Sequence, residues 1–174
     1  MPSKKDPAEK ARASRRPRRG AEGARRVVGW REWVTLPELG IPAIKAKIDT
    51  GARSSSLHAY DMKRFKRRGV SMLRFKVHPI QRDFRTVVES EAKLVDLRKV
   101  RSSSGVVTLR PVIATPLRLG EETWEIEITL VRRDDMGFRM LLGRQSIRGH
   151  WLVDPGRSFV ASSPPPKPVP GARK

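Results

Sequence analysis

A chain of 174 residues with 38 Lys and Arg against 18 Asp and Glu carries a formal net charge of +20, so polyanions (nucleic acid, acidic protein segments) stand first among its expected partners. The absence of cysteine excludes disulfides, thiolate metal sites and a cysteine nucleophile, and suits a cytoplasmic protein. No apolar run approaches the roughly 18 residues of a membrane span, and the basic N-terminus has no apolar signal core, so neither a membrane span nor a secretory leader is expected.

Residues 1–26 hold ten Lys and Arg and three Asp and Glu among Ala, Pro and Gly. They cannot bury enough apolar surface to offset the entropy of ordering, and read as a disordered basic tail. Arg15-Arg16-Pro17-Arg18-Arg19 suits a nucleic-acid or ribosome contact, and equally a solvated tail. A single domain is expected over residues 27–161, followed by a Pro-rich tail, 162–174, around Pro164-Pro165-Pro166.

Within the domain, Val28, Trp30, Trp33, Val34 and Leu36 form a first strand, ended by Pro37-Glu38-Leu39-Gly40. Ile44, Ala46 and Ile48 alternate with Lys45 and Lys47 as a half-buried second strand that makes a hairpin-like pair with the first. Ser54 to Ala59 continues extended. Tyr60 to Gly69, with Lys63, Arg64, Phe65, Lys66, Arg67 and Arg68, reads as a basic turn or solvated hairpin, also suited to nucleic acid. Leu73, Phe75 and Val77 face inward from the next strand. Phe84 to Ser90 and Lys93 to Val100 read as two strands, Gly105 to Pro116 as a β-branched run, and Trp124, Ile126, Ile128 and Leu130 as a strongly alternating strand. Met140 to Gly143 is a buried strand, Gln145 to Arg148 one helical turn, and Trp151 to Asp154 with Ser158 to Val160 a final hairpin across Pro155-Gly156. Many short strands with Gly and Pro punctuation and no long amphipathic helix predict an all-β sandwich or barrel.

The chemistry centres on Asp49-Thr50-Gly51-Ala52. A strand delivers a carboxylate to its end, beside a small hydroxyl residue and a glycine that permits a turn. Taken alone, the tripeptide fits either a catalytic carboxylate or a turn in which Asp caps a backbone amide.

About 90 residues later comes Met140-Leu141-Leu142-Gly143-Arg144, ahead of the helical turn. A strand ending in Asp-Thr-Gly-Ala followed by an apolar pair and Gly-Arg resembles the retroviral-type aspartic proteases. With Arg53-Ser54-Ser55-Ser56-Leu57-His58-Ala59, Arg110-Pro111-Val112-Ile113 and Val153-Asp154-Pro155, the pattern is similar to one family in particular. That family comprises retropepsin-like endopeptidases associated with the RimK glutamate ligase and formerly labelled ATP-dependent zinc proteases. The resemblance covers roughly Val27 to Val160 and implies a retropepsin-like closed β-barrel and peptide-bond hydrolysis. It implies a catalytic Asp49 supplied by each subunit of a homodimer, with Thr50 and Gly51 bracing the paired loops. Ala52, Arg53, Ser54 and Ser55 are then expected along the substrate, with His58 either facing the cleft there or a satisfied structural histidine, and Leu142, Gly143 and Arg144 as structural residues of the site. In a monomer, Asp134, Asp135 or Asp154 would have to partner Asp49.

Retroviral enzymes carry acidic residues after Asp-Thr-Gly-Ala, where this chain has Arg53 and three serines. A cation and hydroxyls there favour an acidic substrate such as a glutamylated ribosomal protein, with a RimK-type ligase as a partner. The zinc label finds no support in His58, His78 and His150, which are widely spaced and outside any His-Glu-x-x-His motif, and no Gly-rich phosphate loop suggests ATP. No metal or cofactor is expected. The competing reading is a catalytically weak basic β-module that binds RNA, ribosome or a ligase partner.

Overall fold

The computed structural model, which describes residues 26–101, 105–132 and 137–165, is all-β apart from two short helical turns. In chain order the elements are β1 (Val27–Gly29), β2 (Arg31–Leu36), β3 (Ile41–Asp49), β4 (Ser55–His58), β5 (Tyr60–Arg67), β6 (Val70–Val77), β7 (Val88–Arg101), β8 (Val107–Leu119), β9 (Glu122–Val131), β10 (Met140–Gly143), α1 (Arg144–Ile147) and β11 (Leu152–Asp154). A 3-10 turn at Pro37–Leu39 joins β2 to β3 and ends at Gly40, whose φ of 65° suits a residue without a Cβ.

One sheet runs in the order β2-β3-β10-β4-β9-β8-β7-β6-β5. It curls until Thr35 of β2 meets Arg118 of β8. This contact is one register pair and not the full ladder of the expected closed barrel. The reason lies in β8, which pairs with β7 only as far as Ile113 and leaves the stretch towards Leu119 open to β2. β7, β6 and β5 continue the sheet past this junction. The alternating segments supply the core: Ile44, Ala46 and Ile48 of β3, Leu73, Phe75 and Val77 of β6, and Ile126, Ile128 and Leu130 of β9 are all buried. Burying each large aliphatic chain contributes roughly 1.5–3 kcal/mol.

Several expectations are corrected. The first strand breaks at Trp30: β1 leaves the main sheet and pairs in parallel with β11, Val27 opposite Leu152 and Gly29 opposite Asp154. The C-terminal hairpin does not form, because a buried carboxylate captures residues 160–162. Glu32 is 0% exposed, and its Oε1 accepts hydrogen bonds from the amides of Gly29 (2.7 Å), Val160 (2.8 Å) and Ala161 (3.2 Å), while Ser162 Oγ bonds to Oε2. Buried carboxylates persist only when hydrogen-bonded in this way. Phe159, with φ of 55°, donates its amide to Arg31 O. Ser162 is thus held against the domain at the point where the free tail was expected to begin.

β7 is a single strand across the expected break at Glu91-Ala92. Its polar residues have partners there: Ser90 Oγ donates to Leu39 O at 2.6 Å, and Glu91 accepts from Arg74 at 2.7 Å. The segment at 84–87 lies before it. Tyr60 to Arg67 is a strand, the first arm of a hairpin turned into β6 by Arg68 (φ 49°) and Gly69 (φ 79°), the positive angles of a tight two-residue hairpin turn. Residues 1–25 and 166–174, the serines at 102–104, and Asp134 and Asp135 lie outside the described residues.

Candidate active site

β3 carries its alternation to Asp49 and there turns. The amides of Gly51 and Ala52 donate to Asp49 Oδ1 at 3.1 and 3.0 Å, so the loop's own backbone fixes one carboxylate oxygen. The other oxygen, Oδ2, has no hydrogen-bond partner among the described residues. Asp49 is half-buried, while Thr50 and Gly51 are exposed.

The second motif lies alongside. β10 runs parallel to β3 with Gly143 opposite Asp49 and Leu142, buried, opposite Ile48. A Cβ on Gly143 would stand 2.4 Å from both C and O of Ser54, so a side chain cannot be accommodated without moving backbone. The Gly143 amide donates to Ser55 Oγ at 3.0 Å, and Ser55 Oγ lies 2.7 Å from Ser146 Oγ. Thr129 Oγ1 donates to Ser55 O at 2.9 Å.

The first amides of a helix have no acceptor within it. Here the amides of Arg144 and Gln145 donate to Ala52 O (2.9 Å) and Arg53 O (3.0 Å). The Arg144 side chain reaches over the same loop, Nη1 donating to Thr50 O at 2.9 Å and to Gly51 O at 3.4 Å. Residues 50–53 are therefore tied at four successive carbonyls to the segment that follows β10. The two sequence motifs, remote along the chain, form one braced loop.

Of the residues expected along the substrate, Ser55 and His58 are buried. Ser55 is 0% exposed and joins the Gly143–Ser146 network; a hydroxyl there satisfies a buried amide. His58 is 2% exposed at the far end of β4, opposite Val131 of β9, with its amide bonded to Arg139 O. Alternation along so short a strand says little when the strand is buried on both faces, as β4 is. Ala52 and Ser54 are half-buried on the loop. Arg53 is exposed and has no acidic partner among the described residues. The residues the sequence did not flag are Ser146 and Thr129, which act through Ser55; no motif marks either.

Asp154 is not poised to partner Asp49. Its Oδ2 accepts from Arg157 Nε at 2.6 Å and its Oδ1 from the Gly156 amide at 2.8 Å, contacts that hold its carboxyl below the usual range, Arg157 contributing most. The histidines are separated: His78 stacks on Tyr60 and His150 on Trp124. Among the described residues no three His, Asp or Glu gather as metal ligands would. No helix there is long and apolar enough to cross a membrane. An open cleft of about 450 Å³ lies between Thr35, Arg118 and Gly120 and the segment 159–163, with none of the Asp49 loop in its walls.

Comparison with known proteins accords with this geometry. A family model for RimB-like proteins, described as retropepsin-like aspartic endopeptidase RimB, matches residues 27–164. The chain is 47% identical over 133 residues to a probable alpha-L-glutamate ligase of Shewanella halifaxensis, and 50% identical over 129 residues to one of Parasynechococcus marenigrum. Those stretches are 76% and 74% of this chain but only 29% and 28% of the two relatives. The crystal structure of Lpg0085 from Legionella pneumophila, a protein of unknown function, is 29% identical with a TM-score of 0.68, covering 79% of this chain and 98% of that one. With the Asp49 loop and the Gly143–Arg144 brace in one place, the chain belongs to the RimB-like family of retropepsin-like aspartic endopeptidases.

Proposed function

We propose that the protein is an aspartic peptidase acting as a homodimer on acidic or glutamylated protein segments. The observation that carries this reading is the state of Asp49. One oxygen is fixed by the loop amides, the other is open, and Thr50 and Gly51 are exposed beside it. One chain supplies one such carboxylate, and a twofold axis beside the loop supplies the second. Two carboxylates held close cannot both ionise cheaply and share a proton. The ionised one takes a proton from water as the water oxygen attacks the scissile carbonyl carbon. The protonated one gives its proton to the carbonyl oxygen. Collapse of the resulting diol breaks the C–N bond, and the departing nitrogen is protonated from the pair.

Support for an acidic substrate comes from Arg53, exposed on the loop with no acidic partner among the described residues, and from the chain's net charge. The curated relatives named as glutamate ligases carry this domain within longer chains, which favours work on glutamate-bearing protein beside a ligase of the RimK type.

The test is cleavage of a glutamate-tailed protein and a mixed peptide library, from acid to neutral pH, by wild type and Asp49→Asn, with sedimentation of both. Cleavage by a wild-type dimer, reduced by three orders of magnitude or more in the variant, is the expected result. A folded, dimeric wild type that cleaves neither substrate overturns the reading and leaves the basic binding module.

A further inference from the structure

The main sheet has one end that does not close. β2 is joined to β8, whereas β5, the strand at the other end, pairs only with β6 among the described residues. An open edge presents unpaired amides and carbonyls to any extended chain. β5 is also the most cationic strand, and the cations of the β5–β6 hairpin fall into two groups. Lys63, Arg67, Arg74 and Lys76 of the β5–β6 hairpin are paired with Asp61, Glu91 and Glu89. Arg64, Lys66 and Arg68 are exposed and have no acidic partner among the described residues.

We infer that the β5 edge is an accessory docking site at which an extended acidic peptide adds as a further strand, its carboxylates facing Arg64, Lys66 and Arg68. The inference rests on the acidic-substrate reading above and adds a second place of contact. Spacing supports it: Arg64 and Lys66 lie two apart on one face of the strand, the same repeat of about 6.6–6.8 Å that brings alternate side chains of an added strand to one face. Charge supports it too. A second copy of so basic a chain is repelled from this edge, while an anionic strand is drawn to it. An RNA strand fits less well, because it needs free rings for stacking. Both rings of β5 are already covered: Phe65 lies under the guanidinium groups of Arg67 (5.3 Å) and Arg74 (5.4 Å), and Tyr60 stacks on His78 at 4.8 Å. Chain length bounds the reach. Ser55, next to the catalytic loop, precedes Arg64 by nine residues, so the two are at most about 32 Å apart. An extended tail of about ten residues spans that distance.

The test uses the full chain bearing Asp49→Asn and a fluorescent ten-glutamate peptide, so that binding is read without cleavage. Arg64→Gln, Lys66→Gln and Arg68→Gln together should weaken binding about tenfold or more, while Arg82→Gln, Arg85→Gln and Lys99→Gln, which remove the same charge elsewhere, should leave it within about twofold. A peptide N-methylated at every residue should bind as weakly as the Arg64, Lys66 and Arg68 variant does, since it keeps no amide N–H on either edge and cannot complete a strand ladder. Equal binding by both triple variants, or full binding of the N-methylated peptide, overturns the proposal. So does tighter binding of a ten-nucleotide RNA that depends on the same three cations. Because the binding assay does not require catalysis, loss of cleavage in the earlier experiment and loss of docking in this one are separate results.

Discussion

The Asp49 loop and the β5–β6 hairpin are held by opposite means. The loop is tied through backbone groups and buried hydroxyls: four carbonyls of residues 50–53 accept from Arg144 and Gln145, and Ser55 is fully buried between Gly143 and Ser146. The hairpin is tied at its surface by ion pairs of Asp61 and Glu91 with lysines and arginines. Backbone ties of the first kind fix a reacting group closely; exposed pairs of the second kind contribute little stability and yield to salt and pH. The difference separates a part of the molecule built to stay still from a part able to receive something.

The largest blow to this contrast comes from Gly143→Ala. With Ser54 backbone 2.4 Å from the new Cβ, β10 and the Asp49 loop must part. A loss of at least about 3 kcal/mol is expected, read as a lower denaturation midpoint together with lost peptidase activity. Ser55→Ala follows, leaving the Gly143 amide without its buried acceptor, at a cost of about 1–3 kcal/mol by the same measurement. Arg144→Lys keeps the charge but not the longer reach that brings Nη1 to both Thr50 O and Gly51 O; kcat should fall on the order of tenfold to a hundredfold, with KM moving much less.

The smallest effect is confined to the hairpin. Asp61 is held below its ordinary value of 3.8, mainly by Lys76 and then Lys63, and Glu91 below 4.5, mainly by Arg74. Folding depresses both, so their stabilisation is complete above those ordinary values and is lost as pH falls through the lowered ones. Below about pH 4, amide exchange in β5 and β6 should quicken before that of β3 and β10 does. Simultaneous loss of protection in all four strands would show the two regions to be one cooperative unit.

The legible parts of the molecule were those where one face is apolar and the other is not. Leu73, Phe75 and Val77, and Ile126, Ile128 and Leu130, declare strands by period alone, and the two motifs declare the loop. β5 was obscured because an open edge carries charge where buried strands carry apolar residues. β7 was obscured because the polar Ser90 and Glu91 find partners in other elements, and because the register shifts between Leu94 and Asp96. Ser55 looked like a substrate hydroxyl because its partners, Gly143 and Ser146, lie about 90 residues away. Glu32, between two tryptophans in a strand, gave no sign that it would sit at 0% exposure and gather the C-terminal segment, since its donors are amides that any sequence has.

The parallel pairing of β1 with β11 has a mechanical consequence. These strands lie near the two ends of the domain, and Glu32 bonds the backbone of Gly29, the last residue of β1, and of Val160 and Ala161, in the segment that follows β11. Tension applied between residue 27 and residue 162 would pull the two parallel strands past each other along their length. Their hydrogen bonds would be loaded together in shear instead of opening one at a time like a zipper. The domain would then resist being drawn out by its ends more than its three-residue terminal strands suggest.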